Sequence, residues 1–374
     1  MRVLFIAGWY PNRSQPKLGN FIQRHAAAVA GLHEVTVLHA APDPGLSKLQ
    51  RESRTGQGVQ EHVIYYPSGG ALRSGQRAAW RALVAEHAAG ADIVHAHVLH
   101  ATALPLWMLR NVAGGRPVIT EHWTGWLDGR ARRLPLPQRW LLRRVAARTA
   151  RFCPVSDDLG RAMQQAGLNG RYTTVQNVVD TTLFRPRPRH TADGRFRLLH
   201  VSSLSDEQKN VTGMLRAFHA AWSQEPRLTL EIISENDGSA TMAYASGLEL
   251  PREAVCFTGM SPEAHVAERM AKSDALLLFS RQENMPCVVA EALACGLPVL
   301  ATDVGGLSEH VGPGHGLLVR SGDEAALAAA MLRLARTPGL HDAESLHGYA
   351  VEHFSVERVA RAFDEVYRQT LAGR

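Results

Sequence analysis

Cysteine is scarce in this 374-residue chain: Cys153, Cys256, Cys287 and Cys295 are all it has, with no C-x-x-C pair and no Cys/His spacing of a metal site. That pattern excludes a disulfide scaffold and a structural zinc, and it points to a reduced, cytoplasmic protein. Long apolar runs are missing as well, and none approaches the ~20 residues a membrane-crossing helix needs. The opening run Val3–Ala7 is followed at once by Pro11 and Arg13, so a first strand is expected there rather than a signal peptide. No G-x-G-x-x-G follows that strand, which argues against a dinucleotide site at this turn. Internal repeats and low-complexity tracts are absent, and no recognised nucleic-acid-binding motif occurs.

What is present is ordinary in composition and uneven in charge. Apolar residues make up 45% and charged residues 20%, the balance of a soluble globular protein. The length favours two domains, with a proline-punctuated linker at Pro186, Arg187, Pro188 and Arg189. Residues 1–186 carry 23 Lys/Arg against 11 Asp/Glu, whereas residues 187–374 carry 18 against 24. A basic first half suits an anionic partner for that half alone. Its most basic stretch, 129–151, interleaves arginines with Leu134, Leu136, Trp140, Leu141 and Leu142. From Pro137 onward an amphipathic helix is expected, with Arg139, Trp140, Arg143 and Arg144 as candidates for a membrane surface.

Strand–helix–strand alternation opens the chain: a strand over Arg2–Ala7, a helix over Phe21–Gly31, and a strand from Glu34. It argues for a parallel sheet. The segment Asp92–His97 reads as another strand with His95, His97 and His100 close together. A metal site is set aside there, because the two strand histidines are expected on opposite faces and no carboxylate ligand is obvious. A further strand ends at His122, and in open α/β sheets ligands gather at such carboxyl ends.

The organising stretch is 274–299. An apolar run of strand type leads to Ser280-Arg-Gln-Glu-Asn-Met-Pro286, then a helix, then Gly296-Leu-Pro298 and a new apolar run. Pro286 suits the first helical position, so Glu283 falls on the loop and Glu291 early in the helix. First-turn amides on Cys287 and Val288 would face the loop, at a helix end that attracts anions and polar oxygens. Two carboxylates bracketing such amides suit a hydroxyl-rich, phosphorylated ligand. Lys209, at the start of an expected helix over Asn210–Trp222, could hold a diphosphate together with that helix's first amides.

These residues carry a resemblance. Glu283-Asn-Met-Pro followed by Glu291-Ala-Leu-Ala-Cys-Gly-Leu-Pro-Val resembles the E-x7-E pattern of the retaining glycosyltransferases of family 4, which have the GT-B fold. The resemblance runs through nearly the whole chain. It implies α/β architecture with two Rossmann-like domains facing across a cleft: residues 1–185, residues 186–354, and a helix over 355–374 crossing back to the first domain. It implies donor contacts from Gly19, Ser203, Lys209, Asn284, Met285, Pro286, Cys287, Val288 and Glu291, with His122 and Glu283 as catalytic residues. Three departures stand out: Trp123 where the family more often has aspartate, Val178 in place of glycine, and Ser203 in place of arginine. The expected reaction moves a sugar from a nucleoside-diphosphate sugar to a saccharide or lipid-linked acceptor. No D-x-D motif sits in a suitable loop, so neither a metal nor another cofactor is expected. A nucleotide-sugar epimerase of the same fold is one alternative. A non-catalytic subunit that binds nucleotide or membrane is another.

Overall fold

The computed structural model describes residues 1–68, 72–110, 117–187, 193–337 and 339–373. Arg116, Pro188 and Arg189 lie outside them. The chain forms two compact units, Met1–Val178 with Val356–Arg374, and Val179–Ser355. The change of unit at Val178 comes before the proline-rich segment where composition alone put it, because Val179 N–H already bonds to Phe354 O at 2.9 Å.

The first unit contains strands β1 (Arg2–Ala7), β2 (Glu34–Asp43), β3 (Gln50–Gly56), β4 (Val59–Pro67), β5 (Ile93–His97), β6 (Val118–Glu121) and β7 (Arg151–Pro154). Their order across the sheet is β3-β4-β2-β1-β5-β6-β7, all parallel except the β3–β4 hairpin. β1 is buried from Val3 to Ala7, as a central parallel strand covered on both faces must be. The helix Asn20–Ala30 turns Ile22, His25, Ala26 and Val29 inward. The last helix, Val356–Ala372, belongs to this unit and packs Val359, Phe363, Val366 and Tyr367 into the same core as Phe5 and Val35. Each such apolar side chain contributes roughly 1.5–3 kcal/mol on burial.

The second unit contains β8 (Phe196–Val201), β9 (Leu228–Ile233), β10 (Val255–Thr258), β11 (Ala275–Leu278), β12 (Val299–Thr302) and β13 (Gly316–Val319). They are all parallel, in the order β10-β9-β8-β11-β12-β13. With β3 set aside as an added edge, both sheets follow the same doubly wound order. Strand direction of travel reverses between β1 and β5 in one and between β8 and β11 in the other. Such a switch point leaves a crevice at the carboxyl ends of the two central strands, where ligands bind.

Three local expectations change. The helix expected from Asn210 begins instead at Val211 and runs to Trp222; before it, Asp206–Lys209 form one helical turn and Asn210 stands in the left-handed region (φ 51°). Asn is among the few residues that adopt this conformation at low cost. Pro286 caps the helix Cys287–Ala294 from outside, with extended backbone, instead of occupying its first turn. His95 and His97 share a face of β5, their rings 4.3 Å apart, because side chains two apart on a strand point the same way.

Candidate active site

In the second unit the switch point brings two loops together. β8 ends at Val201 and leads through Ser203 to the turn that carries Lys209; β11 ends at Leu278 and leads through Ser280 to Glu283. Lys209 Nζ donates to Glu283 Oε1 at 2.6 Å, and Ser280 Oγ donates to the same oxygen at 2.6 Å. Both side chains of the ion pair are largely buried, at 14% and 5% exposure. Breaking one half of a pair so placed strands the other charge, at roughly 3–5 kcal/mol. Ser280 is itself fixed, since its carbonyl accepts from Thr302 Oγ1 at 2.7 Å.

The loop Glu283–Asn284 is clamped from below by Gly305 and Gly306. Gly306 N–H donates to Asn284 O at 2.9 Å. Gly305 has φ 58°, and a Cβ there would meet Glu283 O at 2.0 Å. Only glycine permits this approach. Beyond the loop, Met285 is buried, Pro286, Cys287 and Val288 are half-buried, and Glu291 lies on the second turn of the helix at 7% exposure. Ser203 is half-buried, its carbonyl accepting from Asn236 Nδ2 at 2.6 Å.

In the first unit, His122 follows β6 and is held by its neighbour. The buried Glu121 carboxylate accepts from the N–H groups of His122 and Trp123, each at 2.9 Å, and from Leu99 N–H at 3.1 Å. Burial raises the Glu121 pKa, opposed by these backbone donors. His122 Nε2 and His97 Nδ1 lie 3.3 Å apart, and His25 Nε2–H donates to Gln176 O at 3.0 Å. Burial holds His122 and His97 well below the usual imidazole pKa, so both are neutral near pH 7. Nitrogen atoms of His25, His97 and His122 lie within 4.8 Å of one another, close enough for a metal ion. The expectation that strand geometry separates the β5 histidines is therefore wrong. Within the cluster, His25 Nδ1 and His97 Nε2 are buried and have no hydrogen-bond partner among the described residues. Gly19 caps the helix Asn20–Ala30 at φ 69°, and a Cβ on it would strike the Trp9 carbonyl carbon at 2.6 Å.

Residues 18–183 match the family described as Glycosyltransferase Family 4, and residues 195–337 the family described as Glycosyl transferases group 1. The chain belongs to the group 1, family 4 glycosyltransferases.

Among its relatives, the N-acetyl-alpha-D-glucosaminyl L-malate synthase of Bacillus anthracis is 28% identical over 177 residues, 46% of this chain and 45% of that protein. The match thus spans about half of that relative. The glycogen synthase of Mycobacterium tuberculosis is 25% identical over 98% of this chain and 94% of its own. Sucrose-phosphate synthase from Thermosynechococcus elongatus superposes with a TM-score of 0.79 at 18% identity, covering all of both chains. Anabaena Alr3699/HepE gives 0.73 at 17% identity, over 99% of this chain and 100% of that one. At these identities the structural likeness establishes the fold, which is GT-B: two Rossmann-like α/β units.

Of the residues singled out in this glycosyltransferase, Lys209 and Glu283 are brought into contact, and Asn284, Met285, Pro286, Cys287, Val288 and Glu291 continue directly from them. His122 lies in the other unit. Arg281 was missed. Its backbone N–H donates to Gln208 O at 2.8 Å, and its guanidinium bonds to Asp206 O and Asn210 Oδ1. A second cation thus lies beside the Lys209 turn, on the loop after β11, whereas Ser203 offers only a hydroxyl. Glu121 was missed too, although a carboxylate at a strand end followed by His-Trp is a readable signal.

Proposed function

We propose that this glycosyltransferase moves a sugar from a nucleoside-diphosphate sugar to a saccharide or lipid-linked acceptor, with retention of configuration and without a metal ion. The observation that carries the reading is the 2.6 Å contact of Lys209 with Glu283 across the switch point of the second unit. An ammonium has three protons. One goes to Glu283, which leaves two for the oxygens of a diphosphate. Both of these bonds to Glu283, from Lys209 and Ser280, fall on Oε1. Oε2 is then the atom to accept from a sugar hydroxyl, alongside the Asn284–Val288 backbone. Glu291 accepts from the ribose hydroxyls. Anabaena Alr3699/HepE was solved with UDP and with UDP-glucose, which makes uridine diphosphate sugars the first donors to try.

In the reaction the bond from the anomeric carbon to the diphosphate oxygen breaks as positive charge builds on the sugar ring. Lys209 stabilises the negative charge left on the phosphate, a fixed-electrostatic contribution. The acceptor oxygen bonds to the same face of the anomeric carbon, and its proton passes to the departing phosphate oxygen. The acceptor is met in the cytoplasm or at the inner face of a membrane, in the assembly of a polysaccharide or glycolipid.

A panel of nucleotide sugars tested by thermal denaturation checks the donor class. At least one is expected to raise the melting temperature, since ligand at a hundred times Kd adds about 2.7 kcal/mol to stability. If none does at millimolar concentration, the donor reading fails. An epimer formed without acceptor would favour the epimerase reading, and binding without turnover the silent subunit.

A further inference from the structure

The first unit carries a surface that the transfer reading does not use. The helix Leu136–Ala146 buries Leu142, Val145 and Ala146. Its opposite face presents Leu136 at 75% exposure and Trp140 at 53%, with Arg143 and Arg144 exposed on the following turn. Positions 136, 140, 143 and 144 are spaced to share one side of a helix. Exposed leucine and tryptophan lose free energy by facing water, and here they are not scattered singly. Trp107, from the neighbouring helix Leu99–Leu109, meets Trp140 edge-on with ring centres 6.1 Å apart. The guanidinium of Arg144 lies 5.0 Å over the Trp140 ring, and that of Arg110 lies 4.4 Å over Trp107.

The charge of this face is of one sign. From Gly129 to Arg151 the sequence has eight arginines and no aspartate or glutamate. Among the described residues, Arg132, Arg133, Arg139, Arg143 and Arg144 form no ion pair with a carboxylate, whereas Arg130, just before them, pairs with Asp128. A solvated helix face normally intersperses both signs; this one does not. Tryptophan and leucine at the centre with arginines around them match a bilayer interface, where rings settle at headgroup depth and guanidiniums reach lipid phosphates.

We propose that the face formed by Leu136, Trp140, Arg143 and Arg144, with Arg139 and Trp107 beside it, docks on an anionic phospholipid bilayer. The inference goes beyond the transfer reading, and its test needs no donor or acceptor. The full chain is sedimented with vesicles of phosphatidylcholine alone and of phosphatidylcholine with an equal part of phosphatidylglycerol. It is expected to bind the anionic vesicles, to release as salt rises, and to ignore the neutral ones. R143E/R144E is expected to weaken binding by at least about tenfold, since each basic residue near such a surface counts several-fold. L136S/W140S should weaken it comparably while melting like the parent chain. Anionic vesicles that sediment and leave the protein in the supernatant, or binding indifferent to both variants, would overturn the proposal. So would equal competition by soluble heparin with no need of the apolar pair, which would assign the face to a polyanionic saccharide.

Discussion

At the scale of the residue, the candidate site depends on where one ammonium group is held. Lys209 ends a single helical turn, and nothing in four residues of helix fixes its direction. Direction comes from Asn210 in the left-handed region and from Arg281, which ties Asp206 O and Asn210 Oδ1 together from outside. Arg281→Ala removes two charge-assisted hydrogen bonds, worth roughly 1.5–3 kcal/mol each at most. The expected outcome is a donor KM raised by about tenfold and a melting temperature lowered by several degrees, with recovery in part by Arg281→Lys. Steady-state kinetics over a donor titration would check it, and an unchanged KM would remove Arg281 from the account. Sequence reading could not find this residue, because its partners are backbone and side-chain oxygens 71 to 75 positions away.

At the scale of the element, parallel strands were legible and the rest followed unevenly. The runs at β1, β8, β9, β11 and β12 are short, apolar and bounded by glycine, proline or charged residues, so their buried character can be read directly. The β3–β4 hairpin gave no such signal: β3 is exposed at nearly every position, with neither alternation nor an apolar run. The turn at Asp206–Lys209 is too short for any helical period to appear. The cluster of His97 with His25 and His122 draws on a helix, β5 and the end of β6, so no local spacing displays it.

This cluster has a consequence for stability. Burial holds His25, His39 and His100 at a pKa of about 4, and His95, His97 and His122 well below the ordinary 6.5. These folded-state values lie below those of the unfolded chain, so the unfolded chain binds more protons as pH falls below 6.5. The stability from keeping these rings neutral is complete above about pH 6.5 and is lost progressively toward pH 4. One histidine with a pKa of about 4 accounts for roughly 3 kcal/mol of that loss. Urea denaturation at pH 7.5 and pH 5 should show a clearly lower midpoint at pH 5, with a smaller difference for His39→Gln. Equal midpoints at the two pH values would contradict the burial of neutral imidazoles.

At the scale of the whole molecule, two units repeat one strand order and differ in charge. The second unit, acidic overall, holds Lys209 and Glu283 at its switch point and Glu291 on the helix that follows. The first unit is basic overall and carries both the His122 cluster and the arginine-rich helix. Chain length pointed to two domains and the opening strand–helix–strand to a parallel sheet, but the duplication of the fold came only from the family resemblance. Which loops meet at a switch point was not legible, since strand order is set by crossovers and not by local sequence.

The central claim is that Lys209 and Glu291 serve one nucleotide sugar in different ways, and kinetics of two variants test it most directly. With folding checked by melting, Lys209→Ala should lower kcat by about a hundredfold or more, the usual loss when a charge facing the developing anion is removed. Glu291→Ala should chiefly raise the donor KM and leave kcat near the parent value. Sugar transfer at parental kcat and KM by both variants would contradict the account.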